Sequence, residues 1–141
     1  MDDLLSLDKQ VCFPIYALAK EVINHYRPLL DELDLTYPQY LVLMVLWKEK
    51  ELTVGQLGEK LYLDSGTLTP LLKRMELKGM VIRERSASDE RIVKLSLTEK
   101  GIALKEKAKD IPIQLMESIG ITEQELLELK NIVTKILNKK K

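Results

Sequence analysis

A single cysteine, Cys12, stands two residues before Pro14 near the start of the chain. Proline is tolerated in the first turn of a helix and poorly inside one. The thiol is therefore expected in a first helical turn, where the positive end of the macrodipole favours a thiolate. A thiolate can be oxidised to a sulfenic acid. On composition alone, a lone cysteine is more often a small buried hydrophobe than a reactive group. One cysteine excludes an intrachain disulfide framework, and with His25 as the sole histidine there is no Cys/His cluster to hold a structural zinc. His25 itself is expected at a surface or boundary, and no cofactor is implied.

A second group of residues could meet phosphates and base edges. Ser65, Thr67 and Thr69 are followed by Lys73 and Arg74, all off the apolar stripe of the helix that would carry them. Arginine can pair with a guanine edge in bidentate fashion, lysine can neutralise a phosphate, and short hydroxyls can reach either. Further on, Asp89-x-Arg91 puts a carboxylate where it can brace a guanidinium. Taken alone, Lys73 and Arg74 would simply solvate a helix, and Asp89 with Arg91 would be a surface salt bridge. Their neighbours decide otherwise.

Those neighbours are predicted elements. Residues 8–33 read as a helix, with Val11, Ile15, Leu18, Val22, Tyr26 and Leu29 recurring at spacings of three and four. Thr36-Tyr37-Pro38-Gln39 is a capping box that opens a second helix through about Glu49, apolar all round and expected at the buried centre. Thr53-Val54-Gly55-Gln56 opens a short helix ending near Leu61. Asp64 or Ser65 caps a fourth, which runs to about Lys78 and closes at Gly79. Its apolar stripe is Leu68, Leu71, Leu72 and Met75.

Residues 80–85 and 91–97 alternate as two strands around a five-residue loop, Ser86–Glu90. Thr98 then caps a long helix that Pro112 should kink. Thr122-Glu123-Gln124-Glu125 opens a last helix whose stripe of Leu126, Leu129, Val133 and Ile136 approximates a heptad seam. The tail Lys139-Lys140-Lys141 is expected to fray, and Trp47 is most simply core.

The fold class is thus mainly α with a small β-hairpin: a winged helix-turn-helix over about 37–97, flanked by dimerisation helices over about 8–33 and 98–138, in one domain of 141 residues. Net charge is zero but unevenly placed. Residues 1–36 carry 3 basic and 7 acidic groups, whereas residues 73–97 carry 7 and 4. That local excess coincides with the helix and hairpin that would face nucleic acid. No apolar run reaches the roughly 18–20 residues that cross a bilayer. The start Met1-Asp2-Asp3 lacks the basic region of a signal peptide, so a cytoplasmic location is expected.

The stretch LDSGTLTPLLKRME (Leu63 to Glu76) resembles the recognition helix of MarR-family repressors, and SASDERIVKLSLTEKG (Ser86 to Gly101) resembles that family's wing. With VCFPIYALAKEV (Val11 to Val22), YRPLL (Tyr26 to Leu30) and LTYPQYLVLMVLW (Leu35 to Trp47), nearly the whole chain resembles the OhrR-type, organic-peroxide-sensing branch. The resemblance implies that Cys12 is the peroxide-reactive residue, that Tyr26 and Tyr37 hydrogen-bond its sulfur, and that Tyr16 packs nearby from a partner subunit. It implies a homodimer on a palindromic double-stranded DNA operator, with a small oxidant and a low-molecular-weight thiol as further partners and no membrane. Two other readings compete. One is a regulator answering to a small aromatic ligand, with Cys12 incidental. The other is a thiol peroxidase, which lacks a resolving cysteine and would carry a wing it has no use for.

Overall fold

Hydroxyl and carboxylate caps decide where most of the helices begin. The structure, a computed structural model, describes residues 2–139. Two 3-10 turns (Asp2–Leu5 and Leu7–Lys9) precede α1 (Cys12–Asp31), α2 (Tyr37–Glu49), β1 (Glu51–Thr53), α3 (Val54–Leu61) and α4 (Ser65–Leu77). Then come β2 (Val81–Arg85), β3 (Val93–Leu97), α5 (Glu99–Ala108), α6 (Ile111–Ile119) and α7 (Glu123–Asn138). Thr36, Thr53 and Thr122 each form a reciprocal capping box with Gln39, Gln56 and Glu125. The three boxes read from the sequence are all present, each satisfying two backbone donors that a helix start would otherwise leave open.

The chain divides into two compact units. One comprises Arg27–Lys109. Its core is built on α2, where Val42, Leu43 and Leu46 are fully buried, and on Leu57 of α3 and Leu68, Leu72 and Met75 of α4. Each such side chain contributes about 1.5–3 kcal/mol by leaving water. The sheet runs in the order β1-β3-β2, all antiparallel, with Leu52 opposite Leu95 and Leu95 opposite Arg83. Leu52 and Leu95 turn into the core and join the sheet to the helices.

The other unit comprises Met1–Tyr26 with Asp110–Lys141. Ile111 and Leu115 of α6 are buried, but most of its apolar surface is open. Val11 is 70% exposed, Ile15 56%, Ile132 60% and Ile136 61%. The sequence places these on apolar stripes that ought to face something, and in a single chain nothing covers them.

Several expectations need correction. The first helix begins at Cys12, not at residue 8, because 3-10 turns take up the preceding residues. The long helix after Thr98 is two helices, α5 and α6, broken at Lys109 and Asp110. Pro112 cannot donate to the carbonyl of Ala108 and its ring crowds that group, so the chain restarts with proline in the first turn rather than bending. β1 was missed: three residues offer too short an alternation to be read. The wing loop runs from Ser86 to Ile92, longer than expected, closed by the Ser86 N–H donating to Ile92 O at 2.8 Å. Lys140 and Lys141 lie outside the described residues, as does Met1.

Trp47 is half-buried rather than deep in the core, and its Nε1–H donates to Gly101 O at 2.9 Å. Gly101 sits in α5 against the start of the wing: a Cβ there would come within 2.3 Å of Met80 O and 2.9 Å of Leu97 Cδ2. The close approach is to backbone, which cannot swing aside. Gly101→Ala is therefore expected to destabilise the fold by about 1–3 kcal/mol, read as a lowered thermal midpoint. An unchanged midpoint would show that α5 can slide away freely.

Candidate functional site

The turn between α3 and α4 is tight. Tyr62 takes a left-handed conformation (φ 57°), and the N–H of Leu63 donates to Gly58 O at 3.0 Å. A Cβ on Gly58 would meet Leu63 O at 2.7 Å, so only glycine allows this turn. Asp64, one of the two candidate caps, closes the start of α4: its Oδ1 accepts the N–H of Thr67 at 2.8 Å. That backbone hydrogen bond holds the Asp64 carboxyl below the usual carboxylate range. The same contact uses a donor that could have met a phosphate.

Burial sorts α4 cleanly. Leu68, Leu71, Leu72 and Met75 are buried, while Ser65, Thr67, Thr69, Lys73 and Arg74 are all exposed. Among the described residues, neither Lys73 nor Arg74 is held in an ion pair, so both cations are available to an external anion. Pro70 lies inside the helix and cannot donate to the carbonyl of Gly66.

At the wing, Asp89 grips Arg91 at both ends of the carboxylate. Arg91 Nε donates to Oδ1 and Nη2 to Oδ2, each at 3.2 Å, and the Arg91 N–H donates to Oδ1 at 3.0 Å. These contacts hold the Asp89 carboxyl below its ordinary range, the side-chain bond contributing most. Arg91 is not at the start of β3 as expected but in the loop before it, its side chain 91% exposed despite the brace. Two further arginines were not foreseen. Arg83 of β2 pairs with Glu76 of α4 at 3.0 Å, fixing the wing to the exposed helix. Arg85 Nη1 donates to Glu90 O at 2.7 Å, stiffening the loop. The spacing from residue 76 to residue 83 carries no local pattern, so only the fold reveals that link.

The thiol lies in the other unit. Cys12 is the first residue of α1 and is exposed. Phe13 and Pro14, the next two residues, help line an open hollow of about 530 Å³ with Ser6, Leu7, Asp8 and Gln10. Tyr16, one helical turn on in the same chain, is 62% exposed, with Lys20 Nζ 5.1 Å from its ring centre. Tyr26 stands on the same helix, fourteen residues beyond Cys12, or about 21 Å along the axis at the usual rise per residue. A single chain thus does not bring Tyr26 to the sulfur.

Beside Tyr26, the boundary histidine His25 joins Ser118 Oγ through Nδ1 at 2.9 Å. Tyr37 is the first residue of α2, in the Arg27–Lys109 unit. Burial pushes its phenol above the ordinary tyrosine value. Its ring lies 6.3 Å from that of Tyr40.

A helix-turn-helix with one polar, cationic helix and a braced β-wing defines a winged-helix transcriptional regulator. The chain belongs to the SarA/Rot transcriptional regulators, a MarR-type family whose model matches residues 24–108. It is 50% identical to the organic hydroperoxide resistance transcriptional regulator of Bacillus subtilis (strain 168), over 96% of this chain and 92% of that one. It is 42% identical to the regulator SarZ of Staphylococcus aureus (strain USA300), over 94% and 90%. Among solved structures it resembles reduced AbfR of Staphylococcus epidermidis bound to DNA, with a TM-score of 0.81 and 33% identity over 98% of this chain and 96% of that one. AbfR has also been solved overoxidised on DNA and in a disulfide form. The MarR-family resemblance read from the residues is borne out, and with it the winged-helix fold.

Proposed function

We propose that this chain is a homodimeric, cytoplasmic DNA-binding repressor that leaves its operator when an organic hydroperoxide oxidises Cys12. The observation that carries the reading is an exposed thiol opening α1, in a chain half-identical over nearly its whole length to an organic hydroperoxide resistance regulator. That relative AbfR has been solved reduced, overoxidised and as a disulfide supports sulfur oxidation as the variable.

The open apolar faces of α1, α6 and α7 suit a second copy of the chain. In such a dimer the partner subunit's Tyr26 could meet the Cys12 sulfur, a distance that rules it out within one chain. The partner subunit's Tyr37 would join it as a second phenol donor, and the partner subunit's Tyr16 would pack nearby. The Cys12 thiolate attacks the hydroxyl-bearing oxygen of the hydroperoxide. The O–O bond breaks, the alkoxide takes a proton and departs as the alcohol, and a sulfenic acid remains on sulfur. A small thiol then displaces water to leave a mixed disulfide, since the chain holds one cysteine. With no second cysteine in the chain to resolve the sulfenic acid, the reading is of a sensor and not of a peroxidase.

On the DNA side, Ser65, Thr67, Thr69, Lys73 and Arg74 face the major groove, and Arg91, braced by Asp89, reaches the backbone or minor groove. Two copies read an imperfect palindrome with half-sites about 10 bp apart.

The test is fluorescence anisotropy on a duplex selected by the reduced protein from a randomised pool. Stoichiometric cumene hydroperoxide with free cysteine should raise the dissociation constant of the wild type about tenfold or more, a difference of ~1.4 kcal/mol. Cys12→Ser should bind equally well and ignore the oxidant. Tyr26→Phe and Tyr37→Phe should bind but respond more slowly. If Cys12→Ser is still released, the sensor is elsewhere and the reading is wrong.

A further inference from the structure

Lys78 ends the exposed helix of the DNA-facing unit. It is the C-cap of α4, its own N–H bonded to Arg74 O and Glu76 O. Its side chain does not follow the helix out to solvent. Nζ donates to Asp34 O at 2.8 Å and to Gln39 Oε1 at 3.4 Å, and lies 3.5 Å from the Asp34 carboxylate. Asp34 belongs to the short connection between α1 and α2 and Gln39 to the first turn of α2, so the acceptors lie on either side of Tyr37.

That connection is stiff. Asp34 sits in the left-handed region (φ 56°), where a short polar side chain is among the few tolerated. The N–H groups of Leu33 and Leu35 both return to Leu30 O, at 2.9 and 3.1 Å, and Leu35 is buried. Gln39 is the sole polar side chain buried among the described residues. Its Oε1 is shared: it accepts the N–H of Thr36 at 3.1 Å to close the capping box of α2, and it accepts Lys78. A stiff connection transmits a displacement where a loose one would absorb it. Any movement of Tyr37 that opens the first turn of α2 takes an acceptor from Lys78 in the same event.

We infer that Lys78 couples the Tyr37 end of α2 to α4, so that the state of the phenol is conveyed to the DNA-reading helix. The coupling rests on the redox reading above for its trigger, and it extends that reading by naming the link inside the subunit. Lys100 Nζ donates to Lys78 O at 2.8 Å and keeps the end of α4 anchored from α5. Lys78 thus joins α4 to the segment around Tyr37 through its side chain and to α5 through its backbone carbonyl.

The experiment compares wild type, Lys78→Met and Lys78→Arg. Methionine keeps an unbranched apolar stem and loses the ammonium. A thermal midpoint for each variant separates coupling from loss of fold. After cumene hydroperoxide with free cysteine, mass spectrometry should show Cys12 oxidised to the same extent in all three. Wild type and Lys78→Arg should lose DNA affinity about tenfold or more, and Lys78→Met less than about threefold. A tenfold release in Lys78→Met with Cys12 oxidised would overturn the inference.

A second arm needs no oxidant: reduced protein carrying Tyr37→Phe, Lys78→Met or both is titrated on the same duplex. Effects that depart from additivity by about threefold support the coupling, and additive effects overturn it. If wild type is oxidised at Cys12 yet keeps its DNA, the redox reading falls, and this arm still decides the role of Lys78.

Discussion

A Leu129→Glu, Val133→Glu variant is expected to sediment as a monomer and to lose operator affinity by about 10²–10⁴-fold. Leu129 and Val133 are 39% and 44% exposed on α7, one turn apart on the stripe that also carries Leu126 and Ile136. Covering such side chains in a second copy contributes about 1.5–3 kcal/mol for each one fully removed from water. Two carboxylates on that face would have to be desolvated without partners, which association cannot offset. The larger part of the loss is geometric: a dimer holds its second reading helix close to the second half-site, and a monomer must find each half-site from solution. Sedimentation velocity and anisotropy on one duplex check both halves of the expectation. A wild type that is already monomeric at micromolar concentration would defeat it.

Arg74→Ala is expected to cost ~1–3 kcal/mol on the selected duplex and to relax preference at one base pair, whereas Arg91→Ala should weaken binding evenly across sequences and lower the salt slope by about one. The difference follows from position: Arg74 projects from a helix whose opposite face is locked into the core, and Arg91 from the tip of a wing. Titrations on selected and scrambled duplexes at several salt concentrations distinguish the two. Equal loss on both duplexes for Arg74→Ala would make it a phosphate contact. Asp89 adds a pH statement. Its folded pKa is depressed, so its hold on Arg91 is fully present above the unfolded value and is lost only as pH falls through the lower, folded one. The wing's contribution should therefore stay flat across neutral pH.

Local chemistry was legible in the sequence wherever it acted over one helical turn. The Thr36, Thr53 and Thr122 boxes, the Asp64 cap, and the division of α4 into Leu68–Met75 on one side and Lys73–Arg74 on the other are properties of neighbours three or four residues apart. What was missed acts over distance. β1 is a strand only because Leu52 meets Leu95, and Arg83 matters only because it meets Glu76. The fate of Pro112 was misjudged because a proline pattern alone does not say whether the chain on either side has packing strong enough to hold a bend. The spacing on α1 was legible in the same way: one turn separates Cys12 from Tyr16, and nearly four separate Cys12 from Tyr26.

Trp47 gives the molecule an optical consequence. It is the sole tryptophan of the chain, its Nε1–H is fastened to Gly101 O where the wing returns to α5, and its ring meets that of Tyr40 edge-on at 6.4 Å. Ultraviolet excitation of the protein therefore yields indole emission from a single known position, fed by a tyrosine one shell away. Strain reaching α5 from the wing would lengthen that fastening and let water relax the excited indole, moving the emission to longer wavelength. The protein carries its own fluorophore at the root of the hairpin, and no dye need be attached to follow that root in solution.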